Sequence, residues 1–353
     1  MIELRSDTFT LPTPEMLAAM TSAPLGDDVY GEDPTVNALE ELAADTLSKA
    51  AACLMPSGTM ANLASLMAHA SRGAKVLVGD ESDIYIYEAG GASVCGGLVY
   101  EPIPTQSDGN LRIADLAAAI PEDLDDPQFA RPEVLCLENT HNRCGGVILP
   151  AEYTWQVRQF ADERGLKVHL DGARIFNAAV AAGVTAGDIA RDADSVQFCL
   201  SKGLGAPIGS VVAGSAEFVA KARRIRKMLG GGMRQAGVIA AAGIVAINRA
   251  DRLTVDHANA NRLARGLASI SGIDVDPAEV QTNIVMFRVT DPAFSLNGFL
   301  GSARDLGVAL AELGHGRVRA VTHSGVSADD IDEAVAVVGK VLDRGPLQQM
   351  KGV

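Results

Sequence analysis

In the stretch DSVQFCLSKGLGAPIGSVV, Lys202 stands directly after an apolar run and is followed by Gly203, Gly205, Pro207 and Gly209. A lysine is rarely left in so apolar and glycine-rich a setting. Desolvation there would lower its pKa and free a neutral amine for Schiff-base chemistry. A surface lysine at a strand end is the competing interpretation. In KVHLDGARIF, Asp171 also follows directly on an apolar run. A carboxylate in that position can pair with a protonated ring nitrogen, bind a metal, or simply close a turn with Gly172. His169 lies two residues earlier on the same strand face and can support Asp171 from behind. In LMPSGTMANLASLMAHA, Ser57 suits the cap of a helix whose apolar face carries Leu63, Leu66 and Met67. Gly58 and Thr59 then offer free N–H groups at a helix N-terminus, a cradle for phosphate, although an ordinary capped helix has the same pattern. Asp83 and Glu88, in ESDIYIYEAGG, fall on opposite faces of a strand, or roughly 140° apart around a helix, so they are no acid–base pair.

The elements that must position these residues can be read from periodicity. KVLVGD (75–80), EVLCLEN (133–139), KVHLDG (167–172), SVQFCLS (195–201) and GSVVAG (209–214) have the form of short buried strands. Helical stretches lie between them, such as AEYTWQVRQFADERG, with Tyr153, Val157 and Phe160 on one face. This alternation indicates an α/β fold with a mostly parallel sheet and helices on both faces. Such sheets bind ligands beyond the carboxyl ends of their strands, where Asp171 and Lys202 fall. The aromatic–Ile run after Asp83 is itself strand-like and would place Tyr85 and Tyr87 on the face of Asp83. From about residue 250 the texture changes to a long helix (VDHANANRLARGLASI), a strand (TNIVMFRV), another helix, a short strand (RVRAVT) and a final helix. The expected organisation is an N-terminal arm (1–15), a large domain (16–249) and a small α+β domain (250–353) with a frayed tail, RGPLQQMKGV.

Bulk composition narrows the function. The chain is 48% apolar and 21% charged, enough for a large core. A net charge of −14 argues against nucleic acid or an anionic membrane surface as partner. The longest apolar run, Gly237 to Ile247, is far short of the roughly 20 residues that span a bilayer. MIELRSDTFT has no apolar signal region, and five cysteines without a CxxC indicate reduced thiols. The expectation is a soluble, cytoplasmic protein.

A helix-N-terminal phosphate site, a strand-end aspartate and a strand-end lysine, in that order, match the needs of pyridoxal 5'-phosphate. The segments LRSDTFTLPTPEM, GDDVYGEDPTVNALE, PSGTMANL, ENTHNRCGG, HLDGARIFNA, CLSKGLGAPIGS, RKMLGGGMRQAG, QTNIV and RAVTH make the resemblance specific. Over its whole length the chain resembles the low-specificity L-threonine aldolases, within the threonine aldolase/β-eliminating lyase family. That resemblance implies the fold-type I architecture of pyridoxal-phosphate enzymes, with a mostly parallel sheet of the seven-stranded type. It also implies that Lys202 holds the cofactor and that Asp171 keeps its ring nitrogen protonated. Ser57, Gly58 and Thr59 would hold the phosphate, with Ser201 and Arg174 also on the cofactor and Arg234 reaching it from a neighbouring subunit. Ser6, Arg174 and Arg319 would bind the substrate carboxylate, for which a bidentate guanidinium is suited. Tyr30 would enter the partner's site, and Tyr87 and His141 would line the substrate, His141 being equally suited to a structural role. Arg223, Arg224, Arg226 and Lys227 are for the most part expected to form a solvated helix face.

The implied reaction is reversible cleavage of a β-hydroxy-α-amino acid to glycine and an aldehyde, with active sites shared between subunits of a dimer of dimers and no metal in the mechanism. Two departures stand out. Asp83 occupies a position where the family typically has a histidine stacked on the cofactor, and Gln128, in DPQFAR, replaces a second histidine. Asp83 is open to three roles: the base itself, a partner of a water that acts as base, or the acceptor of a cationic or donor-rich β-substituent. For the same reason a β-eliminating lyase or a transaldolase on this scaffold is the alternative to an aldolase. Glu88 follows the family pattern as a supporting group near the cofactor.

Overall fold

The computed structural model describes residues 1–344. The expected frayed tail, from Gly345 on, lies outside the described residues. Seven strands form one sheet: β1 (Ala51–Met55), β2 (Lys75–Gly79), β3 (Val99–Ile103), β4 (Pro132–Glu138), β5 (Lys167–Asp171), β6 (Ser195–Cys199) and β7 (Ser210–Gly214). Their order is β1-β7-β6-β5-β4-β2-β3, and β7 alone runs antiparallel to its neighbours. The apolar runs at 75–80, 133–139, 167–172, 195–201 and 209–214 all became strands. Two strands were not legible: β1 is alanine-rich, and β3 carries Pro102, which is tolerated because β3 lies at the sheet edge.

Helices cover both faces. They include α1 (Gly58–His69), α2 (Asp83–Ile86), α3 (Ala151–Glu163), α4 (Ala216–Met228), α5 (Gly237–Asn248), α6 (Leu253–Ala268) and α7 (Ala328–Arg344). Tyr153, Val157 and Phe160 of α3 are buried as their spacing requires, each contributing about 2 kcal/mol of apolar burial. The stretch around Asp83 differs from its strand-like pattern. It folds as the single helical turn α2, so Tyr85 and Tyr87 do not share a strand face with Asp83. The Asp83 N–H donates to the buried Glu138 carboxylate at 2.8 Å, a long-range contact that holds the turn in place.

A second apolar cluster gathers α6, α7 and a four-stranded antiparallel sheet of β8 (Ile273–Asp274), β9 (Ile284–Val289), β10 (Ala311–Glu312) and β11 (Val318–Val321). Ile2 and Leu4 belong to this cluster, and Ile2–Glu3 pair in parallel with Val308–Ala309. The N-terminal segment therefore crosses from the C-terminal lobe to the large sheet, carrying Ser6 and Asp7 between them.

The two faces of the large sheet differ. Sheets covered by helices on both faces are usually apolar throughout. Here Val168, Leu170, Val196 and Phe198 join the main core, while the alternate residues His169, Asp171, Ser195, Gln197 and Cys199 point the other way, toward α1. Asn62, Ser65 and His69 of α1, spaced three and four residues apart, complete a buried polar seam beneath that helix.

Candidate active site

Strand register brings three polar side chains into a row at the carboxyl ends of adjacent strands: Glu138 on β4, Asp171 on β5 and Gln197 on β6. Next to them lies a cavity of about 330 Å3, whose lining includes Gly58, Asp83, Glu88, Asp171 and Lys202. Ser57, Thr59, Tyr87 and Ser201 line it as well. Seven expected cofactor or catalytic residues are thus gathered in one place.

The helix that follows β1 starts where the Ser57 pattern implies. Ser57 caps α1 by accepting a hydrogen bond from the Met60 N–H at 3.2 Å. A Cβ at position 58 would come within 2.9 Å of Cys199 Sγ, so glycine is required for the backbone to approach this wall. At Gly172 a Cβ would lie 2.8 Å from the Gln197 carbonyl oxygen, which is why glycine follows Asp171 at this close strand-to-loop contact.

Asp171 is buried and nearly saturated with donors. Its Oδ1 accepts from Gln197 Nε2 at 2.5 Å and from the Ala173 N–H at 3.0 Å, and its Oδ2 accepts from Asn62 Nδ2 at 2.9 Å. A carboxylate has about four lone-pair sites, so one acceptor position remains. Burial raises the Asp171 pKa above the usual carboxylate range against the opposing pull of Lys202. The same Asn62 amide donates to Glu88 Oε1 at 2.7 Å, and burial, with the negative charge of Asp171 adding to it, pushes the Glu88 carboxyl well above its usual range. Glu138 is likewise pushed up by burial and by Asp83.

The expectation that desolvation frees the Lys202 amine is reversed. Burial does disfavour its ammonium, but the proximity of Cys199, Asp83 and Asp171 outweighs burial and the repulsion of Arg174, so its pKa lies above that of an ordinary lysine. The acidic surroundings, invisible at the level of KGLGAPIG, decide the sign. Thr10 Oγ1 donates to the Lys202 carbonyl at 2.9 Å and fixes the backbone there.

The expected carboxylate clamp is rearranged. Arg174 gives its Nε and Nη2 to the fully buried Asp7 at 2.8 and 2.6 Å, so its fork is already engaged within the chain. Arg319 is the complementary case. Its Nη1 donates to Asn142 Oδ1 at 2.8 Å and its Nη2 to the Arg5 carbonyl at 3.0 Å, but its Nε is buried without a partner. No described carboxylate pairs with Arg319, and burial, with the nearby positive charge of Arg174, lowers its pKa. Arg319 is half-buried, and its charge has no carboxylate partner among the described residues. Ser6 is buried beside Arg5 and caps the turn of residues 7–9 by accepting from the Thr8 N–H.

Asp83 faces the cavity and accepts from Asn142 Nδ2 at 3.0 Å (Oδ1) and 3.3 Å (Oδ2). Asn142 thus links Asp83 to Arg319. Tyr87 takes a different partner, its hydroxyl accepting from Arg143 Nη1 at 2.7 Å, while Tyr85 packs edge-on against Tyr100. His141 is 1% exposed and its ring nitrogens have no hydrogen-bond partner, and burial holds its pKa down at about 4. Gln128 sits on an exposed turn with its amide on Asp126, away from the cavity lining. Tyr30 is 74% exposed, and Arg234, paired with Asp27 at 2.9 Å, lies on that same outer surface.

The basic stretch on α4 corrects the expectation of a solvated face. Arg226 is 2% exposed and pairs with the buried Asp28 at 2.8 Å, and Arg223 pairs with Glu40 at 2.6 Å. Only Arg224 and Lys227 of the four are exposed. Asn62, Gln197, Asp7 and Ser195 were missed from sequence, whereas Glu138 and Asn142 belong to ENTHN (138–142), which the family resemblance placed behind the cofactor ring. The one available signal was polar residues alternating with apolar ones along β5 and β6.

Comparison with known proteins gives a consistent picture. Residues 3–290 match the profile of the β-eliminating lyase family. The low specificity L-threonine aldolase of Escherichia coli (strain K12) is 45% identical over 337 residues, 95% of this chain and 98% of that protein. Low-specificity L-threonine aldolase 1 of Arabidopsis thaliana is 42% identical over 333 residues, 94% and 93% of the two chains. The solved structure of the Leishmania major threonine aldolase superposes with a TM-score of 0.80 over 96% of this chain and 99% of that one, at 20% identity, a likeness of fold.

Proposed function

The chain belongs to the β-eliminating lyase family, and we propose on that footing that it is a pyridoxal-phosphate-dependent aldolase cleaving β-hydroxy-α-amino acids of the L-threonine and L-allo-threonine type to glycine and an aldehyde. The observation that carries this is the gathering of Lys202, Asp171, Gly58 and Asp83 around one cavity, with Asp83 linked through Asn142 to Arg319, which no described carboxylate pairs with. These residues fit the cofactor. Gly58 and Thr59 line the cavity at the N-terminus of α1, where Gly58 packs too close to Cys199 for any Cβ, Asp171 retains one acceptor position for a ring N–H, and Lys202 reaches the same cavity. When bound, the cofactor supplies the sink for the electron pair left by the broken bond.

The chain supplies position and proton handling. Lys202 would hold the cofactor through Nζ, and Asp171 would anchor its ring nitrogen. Arg319, which no described carboxylate pairs with, receives the substrate carboxylate, with Arg174, oriented by Asp7, adding positive charge beside it. Asn142, shared between Arg319 and Asp83, sets the distance between carboxylate and β-hydroxyl recognition. That arrangement orients the Cα–Cβ bond, the main contribution positioning can make. Asp83 accepts the β-hydroxyl proton as the bond breaks. Tyr30 and Arg234 are supplied to a second copy's site, which their shared exposed surface supports, so the working unit is a homo-oligomer. Five free cysteines, three of them buried, support a reducing, cytoplasmic setting.

The test is product analysis. Glycine and acetaldehyde should form from L-threonine, and borohydride should fix the cofactor on Lys202. Ammonia and pyruvate from a β-substituted alanine, without aldehyde from threonine, would replace this assignment with the β-elimination that Asp83 also accommodates. For Asp83 itself, Asp83→Asn and Asp83→His are expected to lower kcat/KM on β-hydroxy amino acids. Unchanged kcat/KM in both variants would exclude Asp83 from the reaction.

A further inference from the structure

Three carboxyl groups, those of Asp83, Glu88 and Asp171, line the cavity. Glu138 stands behind them, its Oε2 accepting from the Asp83 N–H and its Oε1 from the Asn142 N–H, both at 2.8 Å. Cations are fewer. Lys202 lines the cavity, Arg319 is linked to Asp83 through Asn142, and Arg174 is already neutralised by Asp7. A buried charge without a partner is costly, so some of these acids keep their protons.

Hydrogen bonds to the ionised form decide which acid that is. Asp171 accepts from three donors, Gln197 Nε2, the Ala173 N–H and Asn62 Nδ2, and each favours its carboxylate. Glu88 accepts from one, the same Asn62 Nδ2, at 2.7 Å. A single amide nitrogen thus bridges the two carboxyl groups, one hydrogen to each. Their oxygens are held within the roughly 4–6 Å over which like charges oppose each other's ionisation. Because Asn62 Nδ2 only donates, Glu88 Oε1 is an acceptor, and a proton on this acid sits on Oε2. Oε2 has no partner among the described residues, on a side chain that lines the cavity. Besides Asp171, the titratable groups that face Glu88 are Asp83 of α2, Tyr100 of β3 and Cys136 of β4, with Lys202 as the opposing positive charge. Burial, reinforced by Asp171, outweighs that charge.

We propose that Glu88 is a positioning residue for the cofactor, a neutral carboxylic acid that carries the proton of the Glu88–Asp171 pair on Oε2 and leaves Asp171 ionised toward the ring nitrogen. The two acids then act differently although they share one amide. Asp171 presents its remaining lone pair to the ring N–H, and Glu88 presents an O–H donor to the cavity. Glutamine at this position reproduces that state, its carbonyl accepting from Asn62 and its NH2 standing where the O–H was. This inference rests on the assignment of Asp171 to the ring nitrogen.

The experiment uses the full-length enzyme with pyridoxal phosphate bound and 13C at the side-chain carboxyl of glutamate. Carboxyl 13C shifts separate a neutral acid from a carboxylate, and the visible absorption band reports the cofactor ring. At pH 7 the wild type should show a neutral-acid resonance that is absent from Glu88→Gln, whereas any such resonance from Glu138 persists in both. Glu88→Gln should keep the wild-type band and cofactor affinity. Glu88→Leu should bind pyridoxal phosphate about tenfold more weakly, the effect of one hydrogen bond. A carboxylate shift for the Glu88 resonance overturns the proposal, as does a Glu88→Gln band displaced as far as that of Asp171→Asn. Wild-type affinity in Glu88→Leu also overturns it. If Glu88→Gln folds poorly, the wild-type spectrum still decides, since the absence of any neutral-acid glutamate resonance at pH 7 refutes the assignment. An unmoved band in Asp171→Asn would instead refute the role of Asp171, and the positioning role of Glu88 with it, whatever the carboxyl spectrum shows.

Discussion

Asp7→Asn isolates the pair that holds Arg174 in place. Asp7 is fully buried, Arg174 is 5% exposed, and their two hydrogen bonds measure 2.6 and 2.8 Å. Asparagine keeps the shape but removes the charge and turns an NH2 group toward a guanidinium that can only donate. Asn283 Nδ2, which also donates to Asp7 at 3.2 Å, loses an acceptor or must turn. Stripping the partner from a buried charge costs about 3–5 kcal/mol, against a total stability on the order of 5–15 kcal/mol. The pH dependence is also determined. Burial opposes the Asp7 carboxylate, but Arg174 prevails and holds its pKa far below the usual carboxylate range. A depressed folded-state pKa contributes stability that is present above the unfolded value, about 3.8, and lost only as pH falls toward the folded one. The difference between wild type and Asp7→Asn should therefore be constant from pH 5 to pH 8. Urea unfolding at fixed protein and cofactor concentration measures it. A loss below about 1 kcal/mol, or one that varies across that pH range, refutes the assignment of a buried ion pair. The double variant Asp7→Leu with Arg174→Met should recover much of the stability but not the activity, separating the pair's structural cost from its catalytic use.

Three further outcomes are expected. Arg319→Lys removes the planar guanidinium, so KM for the amino acid should rise about tenfold or more with a smaller change in kcat, and an unchanged KM in steady-state kinetics would contradict carboxylate binding there. Gly58→Ala places a methyl 2.9 Å from Cys199 Sγ, so spectrophotometric titration should show pyridoxal phosphate bound about tenfold more weakly; wild-type affinity would show that the cradle lies elsewhere. Burial lowers the His69 pKa to about 4, so its contribution to stability is present above the unfolded value of about 6.5 and fades as pH falls. Relative to His69→Gln, the wild type should lose about 1.5–2 kcal/mol between pH 7 and pH 5 in urea unfolding, and a pH-independent difference would show that His69 is not buried neutral.

Much of the molecule was legible because its signals are local. Apolar runs announced β2, β4, β5, β6 and β7, the Ser57 cap announced α1, and Lys202 and Asp171 fell where strand ends place ligands. The stretch after Asp83 was misleading for a physical reason. Its alternating Ile and Tyr residues satisfy a period of two, but a segment of four residues takes its conformation from tertiary contacts, here the Glu138 carboxylate on the Asp83 N–H. Arg226 looked like one of a solvated group because nothing nearby in the chain reveals that Asp28 is buried beside it.

By itself the sequence determined which groups are present: a lysine, an aspartate and a phosphate cradle in an order suited to one cofactor, on an α/β frame, with Asp83 as the departure from pattern. Tertiary structure decided what state those groups are in. The ammonium of Lys202 is favoured by Cys199, Asp83 and Asp171 against burial and Arg174, and Arg174 is engaged by Asp7 while Arg319 keeps an Nε without a partner. Each of these depends on which strands lie side by side. Charge state and hydrogen-bond direction are properties of neighbours in space, and neighbours in space are what a linear pattern does not contain.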